Sequence, residues 1–275
     1  MEFIKKLQSI DSRVIYAVVL VALIVPMLFP IGIPLSIAQN TSSIYDIVQA
    51  LGPDARVVLS LDYEPASSPD VHPQTVAVTQ HLLQRGVKII YVSFWEAGPL
   101  FAEGLISNYT DQYNLEYGVD IINLGFIAGR ETAIRAFGDD VLNSAPVDFR
   151  NNPTASMPIM AGIVDAKDID LFITFSGGSP GVLEWIRQVK DVHNIQLAAG
   201  AVTVSVPGFI PFVQSGQLVG LLAGLRGAAE YEVLSGNPGS AASKMDGQSL
   251  GHLAIIVFIL VGNIAYVAER RSKKN

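Results

Sequence analysis

Five residues in the stretch ITFSGGSPGVLEW, Gly177-Gly178-Ser179-Pro180-Gly181, spell G-x-S-x-G. In many hydrolases that spacing presents a nucleophilic serine on a strand-to-helix turn. The oxyanion hole of such a site draws on the backbone N–H of the next residue, and here that residue is Pro180, which has none. A triad also needs a histidine at the same sheet edge. Downstream there are only His193, ahead of a fifth strand and so at the opposite edge, and His252, inside an apolar segment. A serine hydrolase is therefore excluded. The stretch reads instead as a capped turn, with Ser179 as N-cap and Pro180 at the first helical position. Free N–H groups at such a helix start also suit an anion or a carboxylate, which makes Ser176, Gly177, Gly178 and Ser179 candidate ligand contacts.

A second group of candidates ends the first two strands. Asp62 and Glu64 in the run DYEP fall on one side if the strand continues, which suits a hydroxylated ligand, an amine or a divalent cation. Trp95 and Glu96, after the second strand, would line the same crevice. A solvated loop is the alternative for Asp62 and Glu64, and without a third ligand no metal site is assigned. The run GFIAGR, Gly125 to Arg130, carries part of a dinucleotide fingerprint, but the full G-x-G-x-x-G is missing and it follows an internal strand. No cofactor is identified.

These positions need a scaffold, and the hydrophobic pattern supplies one. After a helical lead, SIYDIVQAL, apolar runs of strand length begin at Arg56, Val87, Val119, Asp168 and Asn194. Helical periods separate them, near 72–85, 100–117, 131–142 and 180–190. Alternation of this kind marks βαβ units and a parallel sheet covered on both faces. The expected fold is one open, doubly wound, mostly parallel sheet of about five strands, Rossmann-like or flavodoxin-like, flanked by two transmembrane helices. At fold level only, a parallel α/β domain outside a membrane is similar to periplasmic binding proteins, whose two lobes exceed what this chain supplies.

The last predicted helix, within SGQLVGLLAGLRGAAEYEVL, spaces Gly216, Gly220 and Gly224 four apart, with Gly227 continuing. Glycine opposes helix formation by about 1 kcal/mol relative to alanine, so a ridge of them suggests close approach of another backbone. The partner would be the domain's own sheet, a second copy of the same helix or a membrane-facing protein. Asn263, a polar group within the last apolar segment, would likewise seek a neighbouring helix.

The 275-residue chain is 50% hydrophobic and 16% charged, with a formal net charge of −7. Its mean hydropathy of +0.39 fits a globular domain with a few apolar segments. Two segments supply the excess: no charge occurs from Val14 to Tyr45, and only His252 is ionisable from Gly247 to Ala268. A bilayer core needs about 20 apolar residues, and both runs reach that length. Lys5, Lys6 and Arg13 precede the first, and Arg270, Arg271, Lys273 and Lys274 follow the second. The positive-inside rule then puts both termini in the cytoplasm and the main domain outside, in the cytoplasmic membrane. The expected order is a cytoplasmic segment 1–13, an anchor 14–38, an α/β domain 39–235, a flexible tether 236–249, a transmembrane helix 250–268 and a basic tail 269–275. Ser36-Ile37-Ala38 fits the small-residue rule for leader cleavage, so a removed signal peptide is the rival to the anchor. The uncharged run between Asp191 and Arg226 is long enough for a third span, but Pro207, Pro211 and its amides favour buried strand and helix instead.

The absence of cysteine excludes disulfides and thiolate chemistry. No basic stripe exists to suggest nucleic acid. Lacking a complete catalytic constellation, the chain is expected to be a membrane-tethered, non-enzymatic assembly or interaction protein, self-associating or docking on membrane partners. The alternative is a tethered small-ligand-binding domain or metal-dependent enzyme using the acidic residues at the carboxyl edge of the sheet.

Overall fold

Strands form where the sequence is apolar, and the first four are also rich in Val, Ile or Phe. In the computed structural model, which describes residues 11–29, 31–237 and 239–272, Arg56–Asp62 (β1), Lys88–Ser93 (β2), Ile121–Phe126 (β3), Leu171–Ser176 (β4), Leu197–Ala201 (β5) and Leu221–Ala223 (β6) make one sheet. All pairings are parallel, in the order β3-β2-β1-β4-β5-β6. The chain winds outward from β1 to β3, then returns to the other side of β1 at β4. That reversal is the doubly wound, Rossmann-like order, and it fixes the topology that sequence could not.

The connections are helical: Ser68–Gln84 (α3), Gly98–Tyr113 (α4), Glu131–Asp139 (α5), Val182–Trp185 (α6), Val206–Gln214 (α7) and Gly224–Ser235 (α8), with Gln39–Ala50 (α2) leading into β1. The turn at α6 continues through a π-helical stretch, Ile186–Lys190, to His193. Alternate residues of β1 serve opposite faces. Val57, Leu59 and Leu61 pack with α2, α3, α4 and α8, through side chains such as Ile44, Val78, Leu105 and Tyr231. Val58 packs with α5 and α6 through Ile134, Phe137 and Trp185. A sheet buried on both faces needs apolar side chains in both directions, which is why its strands read as continuous rather than alternating runs.

Buried polar groups join the layers. His81 of α3 bonds the hydroxyl of Tyr231 on α8 and the side-chain oxygen of Gln49 on α2, each at 2.9 Å. Burial, and then the positive charge of Arg85, lower its pKa to about 4. Glu230 of α8 is 2% exposed. It accepts from Ala38 N–H at 3.1 Å and Thr41 Oγ1 at 2.8 Å, so it caps α2, whose own cap residue, Ala38, has no side-chain acceptor.

Three expectations change. The sheet has six strands rather than five, because Leu221–Ala223 is a strand within the stretch read as one long glycine-ridged helix. Gly216 sits in a turn at φ +78° with open space around it, and Gly220 packs against Asn40 and Ile44 of α2. Gly224 and Gly227 alone lie in α8, so the four glycines form no single ridge. The second change concerns the membrane segments. Only one described helix, Ser240–Ser272 (α9), contains a stretch long and apolar enough to cross a membrane, Ser240–Val267. Ser12–Leu28 (α1) stops at 17 residues, short of the roughly 20 needed. The chain beyond it is irregular: Gly32 adopts φ +72°, and Ile31, Gly32 and Ile33 give their N–H groups to Asp246. Two spans are thus reduced to one candidate. The third change is that the glycine- and serine-rich tether shortens, since α9 already begins at Ser240.

The chain divides into two compact units, 35–239 and the pair of terminal segments 1–34 and 240–275. Within the second, Gly247 and Gly251 of α9 lie against Leu23 of α1. Asn263 is exposed on α9.

Candidate functional site at the carboxyl edge of the sheet

At the carboxyl ends of the strands, where the order reverses, four connections surround a cleft of about 520 Å³. β1 delivers Glu64 and Pro65, β2 delivers Phe94 to Ala97, β3 delivers Phe126 and Arg130, and β4 delivers Ser179 and Pro180. Doubly wound sheets bind ligands in this position because the helices on either side of the switch point diverge. Its volume lies within the range of small-molecule sites, about 300–1,000 Å³.

Beneath the cleft lies Asp62. Its side chain is wholly buried. Ser60 Oγ donates to Oδ2 at 2.6 Å and Phe94 N–H to Oδ1 at 2.8 Å. Trp185 Nε1–H at 3.1 Å and Thr174 Oγ1 at 3.2 Å complete the set on Oδ2. The carboxylate thereby ties β1 to the end of β2, to β4 and to α6. Burial pushes its pKa up to about 6, opposed by the hydrogen bonds it accepts. Glu64, by contrast, is exposed. The chelating pair expected from the sequence does not form, because Asp62 turns into the layer with Trp185 while Glu64 faces solvent. Among the described residues no group of three His, Asp or Glu side chains could hold a metal ion.

The wall above Asp62 is built by interlocked turns. Ser93 Oγ lies 2.7 Å from both the Leu61 and Trp95 carbonyl oxygens, and it accepts from Trp95 N–H at 3.0 Å. Gly98 follows because any side chain there would strike Ser93 and Leu61 O, so α4 can start directly against the sheet. The Trp95 indole N–H donates to Pro180 O at 2.7 Å, which fixes the ring across the β4 turn. A side-chain carbon on Gly178 would stand 3.3 Å from that indole. Ser176 Oγ is buried and donates to Gly178 O at 2.8 Å, and Gly177 is enclosed by Ser67 and Tyr63.

Ser179 is not the helix cap. The Ser179–Pro180 peptide is cis, the cap is Gly181, and the helix begins at Val182. Glu184 reaches back to accept from Gly181 N–H at 2.8 Å and from Ser179 Oγ at 3.2 Å, and it pairs with Arg187 at 3.2 Å. The serine hydroxyl is thus directed to a carboxylate already engaged by a guanidinium. Arg130 gives one Nη2 hydrogen to Ser179 O at 2.9 Å. Its backbone, at φ +54° and ψ −129°, occupies a region that a residue with a side chain enters at a cost of about 1–3 kcal/mol.

Of the predicted ligand residues, Glu64, Trp95, Glu96 and Ser179 meet at the cleft, while Asp62, Ser176 and Gly177 support it from below and Gly178 backs the indole. Sequence reasoning missed Phe126 and Arg130 as cleft residues. The glycines of GFIAGR were the available signal: Gly125 and Gly129, both at positive φ, bend the loop that presents them. Comparison with protein-family models, with curated proteins and with solved structures finds no match to this chain.

Proposed function

We propose that this protein is a membrane-tethered domain that binds a small polar molecule, without catalysis, in the cleft between the β1, β2, β3 and β4 turns. The observation that carries the reading is convergence: two carboxylates, a guanidinium and an indole come from three strand ends to one concavity at the switch point. The assembly reading draws on the lack of a catalytic constellation, on two membrane anchors and on a glycine ridge, and with Gly216 and Gly220 outside any helix it keeps no support from the ridge. In the arrangement we favour, α9 crosses the cytoplasmic membrane, the basic residues Arg270 to Lys274 stay inside, and the α/β unit faces the outside.

The test is a thermal-shift screen of the detergent-solubilised full chain against a metabolite library, repeated with Trp95→Ala. A ligand that raises the melting temperature of the wild type and not of the variant supports the cleft. Hits that stabilise both equally place binding elsewhere and sink the reading. For the topology, cysteine residues introduced singly at Glu116 and at Ser272 should label with an impermeant maleimide in intact cells at the first position only.

A further inference from the structure

Resting on that reading of the cleft, we propose that its ligand is a zwitterion, a small molecule carrying an ammonium group and a carboxylate, of the free amino-acid class. The side chains of Glu64 and Glu96 make no hydrogen bond or ion pair with described residues, and no ion pair joins Arg130 to either. Opposite charges share the concavity without pairing, and, facing solvent, both signs are free to meet an occupant. Arg130 is held by a single contact to Ser179 O, so most of its five N–H donors remain for a carboxylate, which a guanidinium grips with two parallel bonds. The Trp95 N–H is already committed to Pro180 O, so the indole offers its ring, a surface that attracts ammonium groups. Phe126, 40% exposed, gives the cleft a further apolar wall. A phosphate would meet two carboxylates, and a bare cation would meet the guanidinium.

Isothermal titration of the full chain with the twenty free amino acids decides the matter, with the N-acetyl and amide forms of each hit, glucose, maltose and inorganic phosphate alongside. At least one free amino acid should bind, and either derivatisation should weaken it tenfold or more. Arg130→Gln should abolish the penalty for the amide, and Glu96→Gln should reduce the penalty for the N-acetyl form. Equal affinity for free and derivatised forms, or silence toward all twenty, overturns the zwitterion. Binding of sugar or phosphate alone, lost in Trp95→Ala, overturns it too, while leaving the cleft as a site.

A second inference comes from the other unit and from α8, independently of the cleft: the first apolar segment is retained in the mature protein, and Ala38–Gln39 is not a leader-cleavage point. Asp246, 4% exposed, accepts three successive backbone N–H groups, Ile31 at 3.0 Å, Gly32 at 2.8 Å and Ile33 at 3.0 Å. Beyond them, Arg226 donates to Ser36 O at 3.3 Å and Oγ at 3.1 Å, and Glu230 holds Ala38 N–H. Loss of residues 1–38 would remove all three N–H donors from Asp246 and one from the buried Glu230. Hydrogen bonds to an ionised carboxylate are among the stronger ones, and all four of these would go. Intact-mass spectrometry of protein purified from its own membrane should give a chain that still contains Ile31 to Ala38; a mature N-terminus at Gln39 overturns the inference. A chain begun at Gln39 behind a cleavable leader should melt several degrees lower than the full chain, and equal melting temperatures would also overturn it.

Discussion

One edge of the sheet carries two crevices with opposite fates. Between the ends of β1, β2, β3 and β4 three charged side chains are left largely unused: Glu64 and Glu96 are exposed and Arg130 is held by one contact. Above β5 and β6 the turns are closed. Asp70 accepts from Thr203 N–H at 2.7 Å and from Leu225 N–H at 2.9 Å, closing the first turn of α8. Gln74 spans the same gap, with Nε2 about the carbonyl oxygens of Asp70, Ala201 and Gly224 at 3.0, 3.1 and 3.0 Å. Its Oε1 is buried without a hydrogen-bond partner, pressed against Gly200. Both crevices follow parallel strands and open toward helix starts. Side chains tie down backbone groups of the turns in both places; what separates a site from a seal is therefore whether charged side chains remain facing solvent, as Glu64, Glu96 and Arg130 do.

The contrast can be broken by substitution, most severely on the sealed side. Gly200→Ala would drive a methyl group into Gln74 Oε1 and to 2.7 Å from the Phe175 ring. A loss of about 3 kcal/mol in urea unfolding is expected, as for other overpacked cores. Gly178→Ala on the open side faces only the rim of the indole, and its cost should stay below about 0.5 kcal/mol. Similar losses at the two positions would refute the distinction.

Next in size is a pH effect from Asp62. Its folded pKa of about 6 exceeds the ordinary value of 3.8, so between these values the folded state keeps a proton that the unfolded chain has released. The contribution is complete below pH 3.8 and is lost as pH rises through 6. The loss amounts to roughly 3 kcal/mol, because each tenfold difference in proton affinity between the two states is worth about 1.36 kcal/mol. His81 runs the other way: with a folded pKa near 4 against 6.5, its share is complete above 6.5 and lost as pH falls toward 4. Asp62→Asn should consequently convert the stability profile into one that rises with pH across that window. Denaturation midpoints in steps from about pH 4 to about pH 7.5 for both proteins would show it, and parallel profiles would remove Asp62 from the account.

Smaller still is Trp95→Phe, which deletes the bond to Pro180 O and should cost about 1 kcal/mol. Smallest is Glu96→Gln, an exposed change expected to move stability by less than about 0.5 kcal/mol. Its interest is the dissociation between stability and ligand affinity, measured on the same preparation by unfolding and titration.

How far the amino-acid sequence showed all this depends on what each residue touches. β1 to β5 were legible because short apolar runs, β-branched in β1 to β4, alternate with helical periods and are bounded by polar turns. β6 was not. Its three residues lie between Gly220, packed on α2, and Gly224, packed on Thr203 and Asp70, so small residues chosen for close approach at two turns imitated a helical ridge. Glu64, Trp95, Glu96 and Ser179 could be placed at one edge because each follows a strand. The inward turn of Asp62 could not, since it depends on Trp185 and Thr174 being brought beneath it from more than a hundred residues away. The sequence shows Arg130 only as the end of a partial dinucleotide fingerprint, because its place in the cleft follows from the loop geometry that positive φ at Gly125 and Gly129 creates.

The brevity of β6 has a bearing on how copies of this protein can meet. Three residues, flanked by glycines that lie against α2 on one side and Thr203 on the other, expose too little backbone to template a strand from another molecule. That margin is therefore a poor template for sheet growth. In the proposed topology, where many copies would crowd one membrane face, this margin guards each domain against polymerising along its own hydrogen-bond ladder.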